Sequence, residues 1–212
     1  MKKYLLPVMC LAMLPAQSFA TELKLFVGGN VGLSGIVLSS GLKDDTHDDT
    51  GVTIMDLPTS FFGLGGEFGL MFIQPAMYNY GVTLAYDHVF SASADINPDY
   101  KTAISSVKIG FSAISATFDN YLRVVQNRDR RDDIVLGVGI ANIHETFKST
   151  SSVLPKTESD DGFAIVFKAG YDIRVGNHQG YINARYFLPV DGDNDRDIDG
   201  LYNINAGLRY LF

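Results

Sequence analysis

The stretch YNINAGLRYLF, residues 202–212, decides the fold. Tyr202, Ile204, Ala206, Leu208, Tyr210 and Phe212 are apolar or aromatic, while Asn203, Asn205, Gly207 and Arg209 between them are small or polar. Successive side chains of a β-strand point to opposite faces, so a strict period of two reads as a strand with one apolar and one polar face.

The same alternation recurs upstream. Leu23, Leu25, Val27, Val31 and Leu33 alternate with Lys24, Gly28, Asn30, Gly32 and Ser34, with Phe26 as an exception. Phe62, Leu64, Phe68, Leu70 and Phe72 oppose Gly63, Gly65, Glu67 and Gly69, and Tyr78, Tyr80, Val82, Leu84 and Tyr86 oppose Asn79, Gly81, Thr83, Ala85 and Asp87. Val107, Ile109 and Phe111 are set against Lys108, Gly110 and Ser112, after which the pattern blurs, as a bulge in a long fourth strand would make it do. Ile134, Leu136, Val138 and Ile140 face Gly137, Gly139 and Ala141. Phe163, Ile165, Phe167, Tyr171 and Ile173 face Lys168, Gly170, Asp172 and Arg174, and Ile182, Ala184, Tyr186 and Leu188 face Asn183 and Arg185.

With the closing stretch these make eight strands. Long polar connections are expected at 39–58, 91–102, 148–161 and 189–200, and short turns at 73–77 and 175–180, with the charged run QNRDRRDD forming another. An even strand count, short turns at one end, long loops at the other and an apolar face outward define an up-and-down barrel of the bacterial outer membrane. A soluble sandwich or lipocalin-like barrel alternates too, with its apolar face inward. The polar face separates the two readings. It is Gly, Ala, Ser and Asn with single, spaced charges, which suits a narrow interior better than a solvated surface.

Residues 1–20 read as a cleaved secretory signal peptide: Lys2 and Lys3, an apolar run, then Ser18-Phe19-Ala20. The barrel is expected over 21–212. Its 15 basic against 24 acidic side chains, a charge of −9, make it a poor nucleic-acid binder. Removal of Cys10, the single cysteine, leaves no disulfide chemistry. No segment after residue 20 has the length of apolar run a spanning helix needs.

INAGLRYLF resembles the closing strand of Gram-negative outer-membrane barrels. DDIVLGVGIANIHETF, FAIVFKAGYDIRV and YINARYF, in that order, are similar to the second half of the opacity-type, OmpA-like eight-stranded family, and FDNYLRV to its fourth strand. The resemblance spans nearly the whole mature chain. It implies an all-β, eight-stranded antiparallel transmembrane barrel in the outer membrane, a surface protein acting in adhesion or as an antigen, with an envelope-structural role. It also implies that Tyr210 and Phe212 carry the signal read by the barrel-assembly machinery. Unlike longer members, this chain is expected to carry no peptidoglycan-binding domain after Phe212.

The polar face carries Lys24, Glu67, Asp87, Lys108, Lys168, Asp172, Arg174, Arg185 and Arg209. An eight-stranded barrel is just wide enough to be filled by side chains, so these charges are expected to pair and plug the interior. A small pore for ions or polar solutes is the alternative. Asp191, Asp193 and Asp195 supply oxygen ligands in the loop DGDNDRDIDG, but the EF-hand glycine and glutamate are missing, and a repelling acidic loop is the expectation. Asp44–Asp49, with His47, is read the same way. No cofactor is expected. The partners expected are outer-membrane lipid and lipopolysaccharide, the assembly machinery and a host-surface ligand met by the loops.

Barrel proteases and lipid A-modifying barrels use Asp–His pairs or Ser with His. Here Asp87 and His88 are adjacent, so they point to opposite faces; His88 with Ser91, and His144 with Ser149, differ in parity. No nucleophile–base–orienter set emerges, and a non-enzyme is expected.

Overall fold

In the computed structural model the described residues are 22–38, 60–74, 78–95, 104–127, 129–151, 156–190 and 198–212. Eight strands follow one another: β1 (Glu22–Leu38), β2 (Ser60–Ile73), β3 (Tyr78–Asp95), β4 (Ile104–Gln126), β5 (Arg130–Ser151), β6 (Lys156–Val175), β7 (His178–Pro189) and β8 (Ile198–Leu211). Each pairs antiparallel with the next, and β8 returns to β1 to close the sheet. Closure removes the free edges that an open sheet would leave unpaired in lipid. The last main-chain bond of the seam runs from the Phe212 N–H to the Leu25 carbonyl, 2.8 Å.

The register fixes the shape. Starting at Phe26 and moving strand to strand through Gly69, Thr83, Thr117, Gly139, Val166, Phe187 and Leu201, the path re-enters β1 at Ile36, ten residues further along. That stagger is the shear that tilts the strands about the barrel axis. Every residue on this path points inward. The short β6–β7 turn is Gly176-Asn177, with Gly176 at φ +60°, the left-handed region that a two-residue hairpin demands and glycine favours.

Outward positions are apolar all round: Leu23, Val31, Phe68, Leu84, Ile140, Phe167, Ile182 and Leu208 are all exposed, Leu208 to 72%. A soluble protein does not present a closed belt of this kind to water; a hydrocarbon solvent is what satisfies it. Aromatic pairs mark its two rims. Tyr210 meets Phe212 edge to face at 5.0 Å at the turn end, and Phe62 stacks on Phe90 at 6.1 Å toward the loop end. No helix among the described residues is long and apolar enough to cross a membrane.

Three features differ from the sequence reading. β4 carries the expected bulging at its ends, with register shifts against β5 between Ile104 and Ser106 and between Arg123 and Val125, but keeps unbroken alternation from Phe111 to Arg123; a further shift lies in its partner β3, between Val89 and Ala92. Phe111 shares the inward parity of Ala113 and Ser115 and is buried inside the barrel, not on the lipid face. The 148–161 connection is largely strand, because β5 runs to Ser151 and β6 starts at Lys156. The β4–β5–β6 wall thus rises beyond its neighbours, with strands of 23, 22 and 20 residues against 12 for β7.

Candidate functional site

Alternation turns a strand's polar residues inward, and the register sets which of them meet. Glu67 of β2, Asp87 of β3, Lys168 and Asp172 of β6, Arg185 of β7 and Arg209 of β8 converge at mid-barrel, all buried. The Arg209 guanidinium bridges two strands, its Nε donating to Glu67 Oε1 at 2.5 Å and a terminal nitrogen to Asp172 Oδ2 at 2.8 Å. Arg185 donates to Asp87 Oδ2 at 2.5 Å and to Glu67 Oε2 at 3.3 Å. The two arginines thereby share one glutamate. Lys168 Nζ donates to Asp119 Oδ2 at 2.6 Å, and the same oxygen accepts from Thr83 Oγ1 at 2.7 Å. Gln179 adds a bond to Asp172 at 2.7 Å.

A charge stripped of water is tolerable only when a counter-charge and hydrogen bonds replace the lost hydration. The planar guanidinium does this best, because its fork reaches two carboxylates at once. Arg209 also lies over the Tyr181 ring at 4.1 Å and near the Phe26 ring at 5.1 Å, which covers its flat faces. Tyr181 in turn covers Gly207, where any Cβ would run into the ring.

The other charges assigned to the interior have different places. Lys24 points inward at the turn-end rim and pairs with Glu22 at 3.3 Å. Arg174 points inward at the same end, paired in register with Arg131. Lys108 is a correction: it shares the outward parity of Ser112 and Ile114, stands opposite Lys148 and is exposed at the loop end. Alternation along β4 gives the inward parity to Phe111 and Ala113, so Lys108 falls on the outer face. Asp119, Arg131 and Asp133 are buried interior charges that were not foreseen. Asp119 hides in the blurred stretch of β4, and Arg131, whose Nε donates to Asp133 at 2.8 and 2.9 Å, lay in what read as a turn. Asp191, Asp193 and Asp195, like residues 1–20 and 44–49, lie outside the described residues. Among the described residues no group of His, Cys, Asp or Glu is arranged to hold a metal ion.

The polar layer is closed off on both sides. Toward the loops lie Ile36, Phe61, Val89, Phe111, Ala113, Ala141, Ile143, Ala164, Val166, Phe187 and Leu201, all buried. Toward the turns lie Phe26, Met71, Tyr121, Val135 and Leu211, with Ile73 packed against them. Beyond this second layer a vestibule of about 490 Å³ opens at the turn end, lined by Ile73, Arg123, Arg130, Arg131 and Arg174 among others. The interior is therefore a charged layer between two apolar layers. Its chemistry is that of mutual neutralisation and packing.

No protein-family model matches the chain, and no curated protein matches it. Solved structures do. The attachment invasion locus protein Ail of Yersinia pestis, in complex with the heparin analogue sucrose octasulfate, is 14% identical, with a TM-score of 0.53, covering 91% of this chain and 100% of that one. A major outer membrane protein from Thermus thermophilus is 9% identical, with a TM-score of 0.54, covering 90% of this chain and 100% of that one. The fold is that of the eight-stranded outer-membrane barrels. The closed strand plan and the lipid-facing exterior place the chain in the bacterial outer membrane.

Proposed function

We propose that the chain is a surface protein whose barrel is a sealed pedestal for its exposed loops, acting by adhesion or interaction and stabilising the envelope. One observation carries this reading. The central salt-bridge layer is shut between two apolar layers, which favours a plug over the alternative of a small pore. The tall β4–β5–β6 wall supports it, since these strands are longer than the rest and reach further from the membrane. Binding through loops held on a rigid scaffold is what such an object can do.

The loops are acidic, with Asp44, Asp45, Asp48 and Asp49 in one and Asp191, Asp193, Asp195 and Asp197 in another. Ail was crystallised with a polysulfated ligand; for this chain a basic or neutral host-surface ligand suits the loop charge better. Outward-facing Tyr210 and Phe212, at the free end of the closing strand, are suited to recognition by the barrel-assembly machinery. The test is to display the full chain and variants with residues 40–58 or 191–197 replaced by Gly-Ser on cells. Attachment to host-cell surfaces retained after these replacements and after the same replacement of 96–103 and 152–155, or reproducible open steps from the purified barrel in planar bilayers, would overturn the reading.

A further inference from the structure

The outer wall carries a second constellation, independent of the loops and of the interior. The register aligns Ser112 of β4 with His144 of β5, and His144 with Asp161 of β6. All three have outward parity, and His144 and Asp161 are exposed. His144 Nδ1 and Asp161 Oδ1 are 2.8 Å apart. A carboxylate at Nδ1 favours the Nδ1–H tautomer, in which Nε2 is the acceptor. Directly opposed residues of an antiparallel pair hold their Cβ atoms about 4.5–5.5 Å apart, which sets Ser112 beside His144 on the side away from Asp161. The order is nucleophile, base, orienter, assembled across three strands rather than along one.

Its position matters as much as its composition. Down the outer face of β4 the residues run Lys108, Gly110, Ser112, Ile114, Ala116, Phe118; down β5, Lys148, Thr146, His144, Asn142, Ile140, Val138; down β6, Ser159, Asp161, Phe163, Ile165, Phe167. The change from polar to apolar falls at or just below the Ser112–His144–Asp161 row. The row therefore sits at the boundary of lipid and water, where an acyl ester of a membrane amphiphile lies. Four residues above, about 13 Å along the strand, Lys108 and Lys148 face each other across β4 and β5, both exposed. Like charges directly opposed destabilise a sheet unless an anion lies between them. A phosphate-bearing headgroup meets that need.

We propose that Ser112, His144 and Asp161 form an ester-hydrolysing site on the barrel exterior, with a phosphate-bearing acylated lipid as substrate. Ser112 Oγ attacks the ester carbonyl while His144 Nε2 takes its proton. The tetrahedral intermediate collapses, the alcohol oxygen leaves with the proton from His144, and the acyl group stays on Ser112. Water then attacks the acyl-enzyme with His144 again as base, releasing a fatty acid and restoring the serine. The Asn142 side chain, on the same face and next in parity below His144, is the amide donor available to the oxyanion.

The test uses the full mature chain folded in detergent micelles, each variant checked for its heat-dependent gel shift. Lipid A and phosphatidylglycerol are offered separately in mixed micelles, and released fatty acid is measured by mass spectrometry; p-nitrophenyl octanoate serves as an uncharged ester. Release from either lipid, falling at least ~100-fold in Ser112→Ala and in His144→Gln, supports the site, and the lipid that is cleaved names the substrate source. Asp161→Asn lowers kcat by at least ~10-fold. Lys108→Ala with Lys148→Ala raises KM for the phosphate-bearing lipid and leaves that for p-nitrophenyl octanoate unchanged. A fluorophosphonate probe supplies a readout without a substrate: an adduct mapped to Ser112, lost in His144→Gln. No fatty acid from either lipid together with no adduct on Ser112 in the folded barrel overturns the proposal, as does release that survives Ser112→Ala. Neither result bears on loop-mediated attachment.

Discussion

Replacing Arg209 by Met is the sharpest test of the sealed interior. The change keeps an unbranched apolar stem in place and removes the guanidinium. Two charge-assisted bonds disappear, to Glu67 at 2.5 Å and to Asp172 at 2.8 Å. Such bonds are worth about 1.5–3 kcal/mol each, and the stacking on Tyr181 adds about 1 kcal/mol. Relief comes from the partners that remain: Glu67 keeps Arg185 at 3.3 Å and Asp172 keeps Gln179 at 2.7 Å. The net loss is then about 3–5 kcal/mol, the range for breaking a buried pair from one side. Lys24→Met is the matched control. Its pair with Glu22 is at the rim, with Glu22 57% exposed, and it should cost less than about 0.5 kcal/mol. Reversible guanidinium unfolding in lipid vesicles measures both, followed by circular dichroism and gel mobility because the chain has no tryptophan. Pairing Arg209→Met with Glu67→Gln should recover at least about 1 kcal/mol of the summed single losses, since the orphaned carboxylate has been neutralised. A loss under about 1 kcal/mol for Arg209→Met alone would refute the view that this layer is dry and mutually neutralised.

Ile204→Arg, on the lipid face of β8, should destabilise the folded barrel by about 2–4 kcal/mol if it lies near the bilayer midplane, read from the same unfolding curves. Gly69→Val should prevent folding or lower the unfolding midpoint sharply, because a Cβ there meets the Val82 carbonyl and the Phe26 ring, which gel mobility will report. The wild-type barrel should be silent in planar bilayers, and Phe111→Ala should remain silent, since Met71, Tyr121, Val135 and Leu211 still shut the turn end.

Strand number, facing and the closed topology were legible because alternation is a local signal that the apolar exterior enforces on nearly every strand. The exceptions are instructive. Phe26 broke the pattern in β1 and proves to belong to the inner apolar layer, so what looked like noise was the cap. Phe61, Met71, Val89, Phe111 and Phe187 have the same status. An interior residue can be polar or apolar according to its height, and height is set by the stagger between strands. The same gap hid Asp119 from the charge network, and it hid the Ser112–His144–Asp161 row, whose members lie on three different strands. Sequence parity says which face a residue takes. Only register says which residues on that face touch.

The interior layer has a further consequence for how the barrel acquires its register. A one-residue slip of any strand exchanges its faces, and lipid forbids that strongly. A two-residue slip keeps the faces and costs the exterior little, because Leu, Val, Ile and Phe are nearly interchangeable against hydrocarbon. The charges remove that degeneracy. Moving β8 by two residues relative to β2 and β6 carries the Arg209 guanidinium about 6.6 Å along its strand, away from both Glu67 and Asp172, and leaves three charges buried without these partners. Shifting β7 likewise separates Arg185 from Asp87 and Glu67. Buried ion pairs add little to stability over a well-packed apolar core, and their best-attested use is to specify one arrangement among several. Here Arg185 and Arg209 sit on the last two strands of the chain, and their acids on β2, β3 and β6. They select the one closure in which all of these charges are paired.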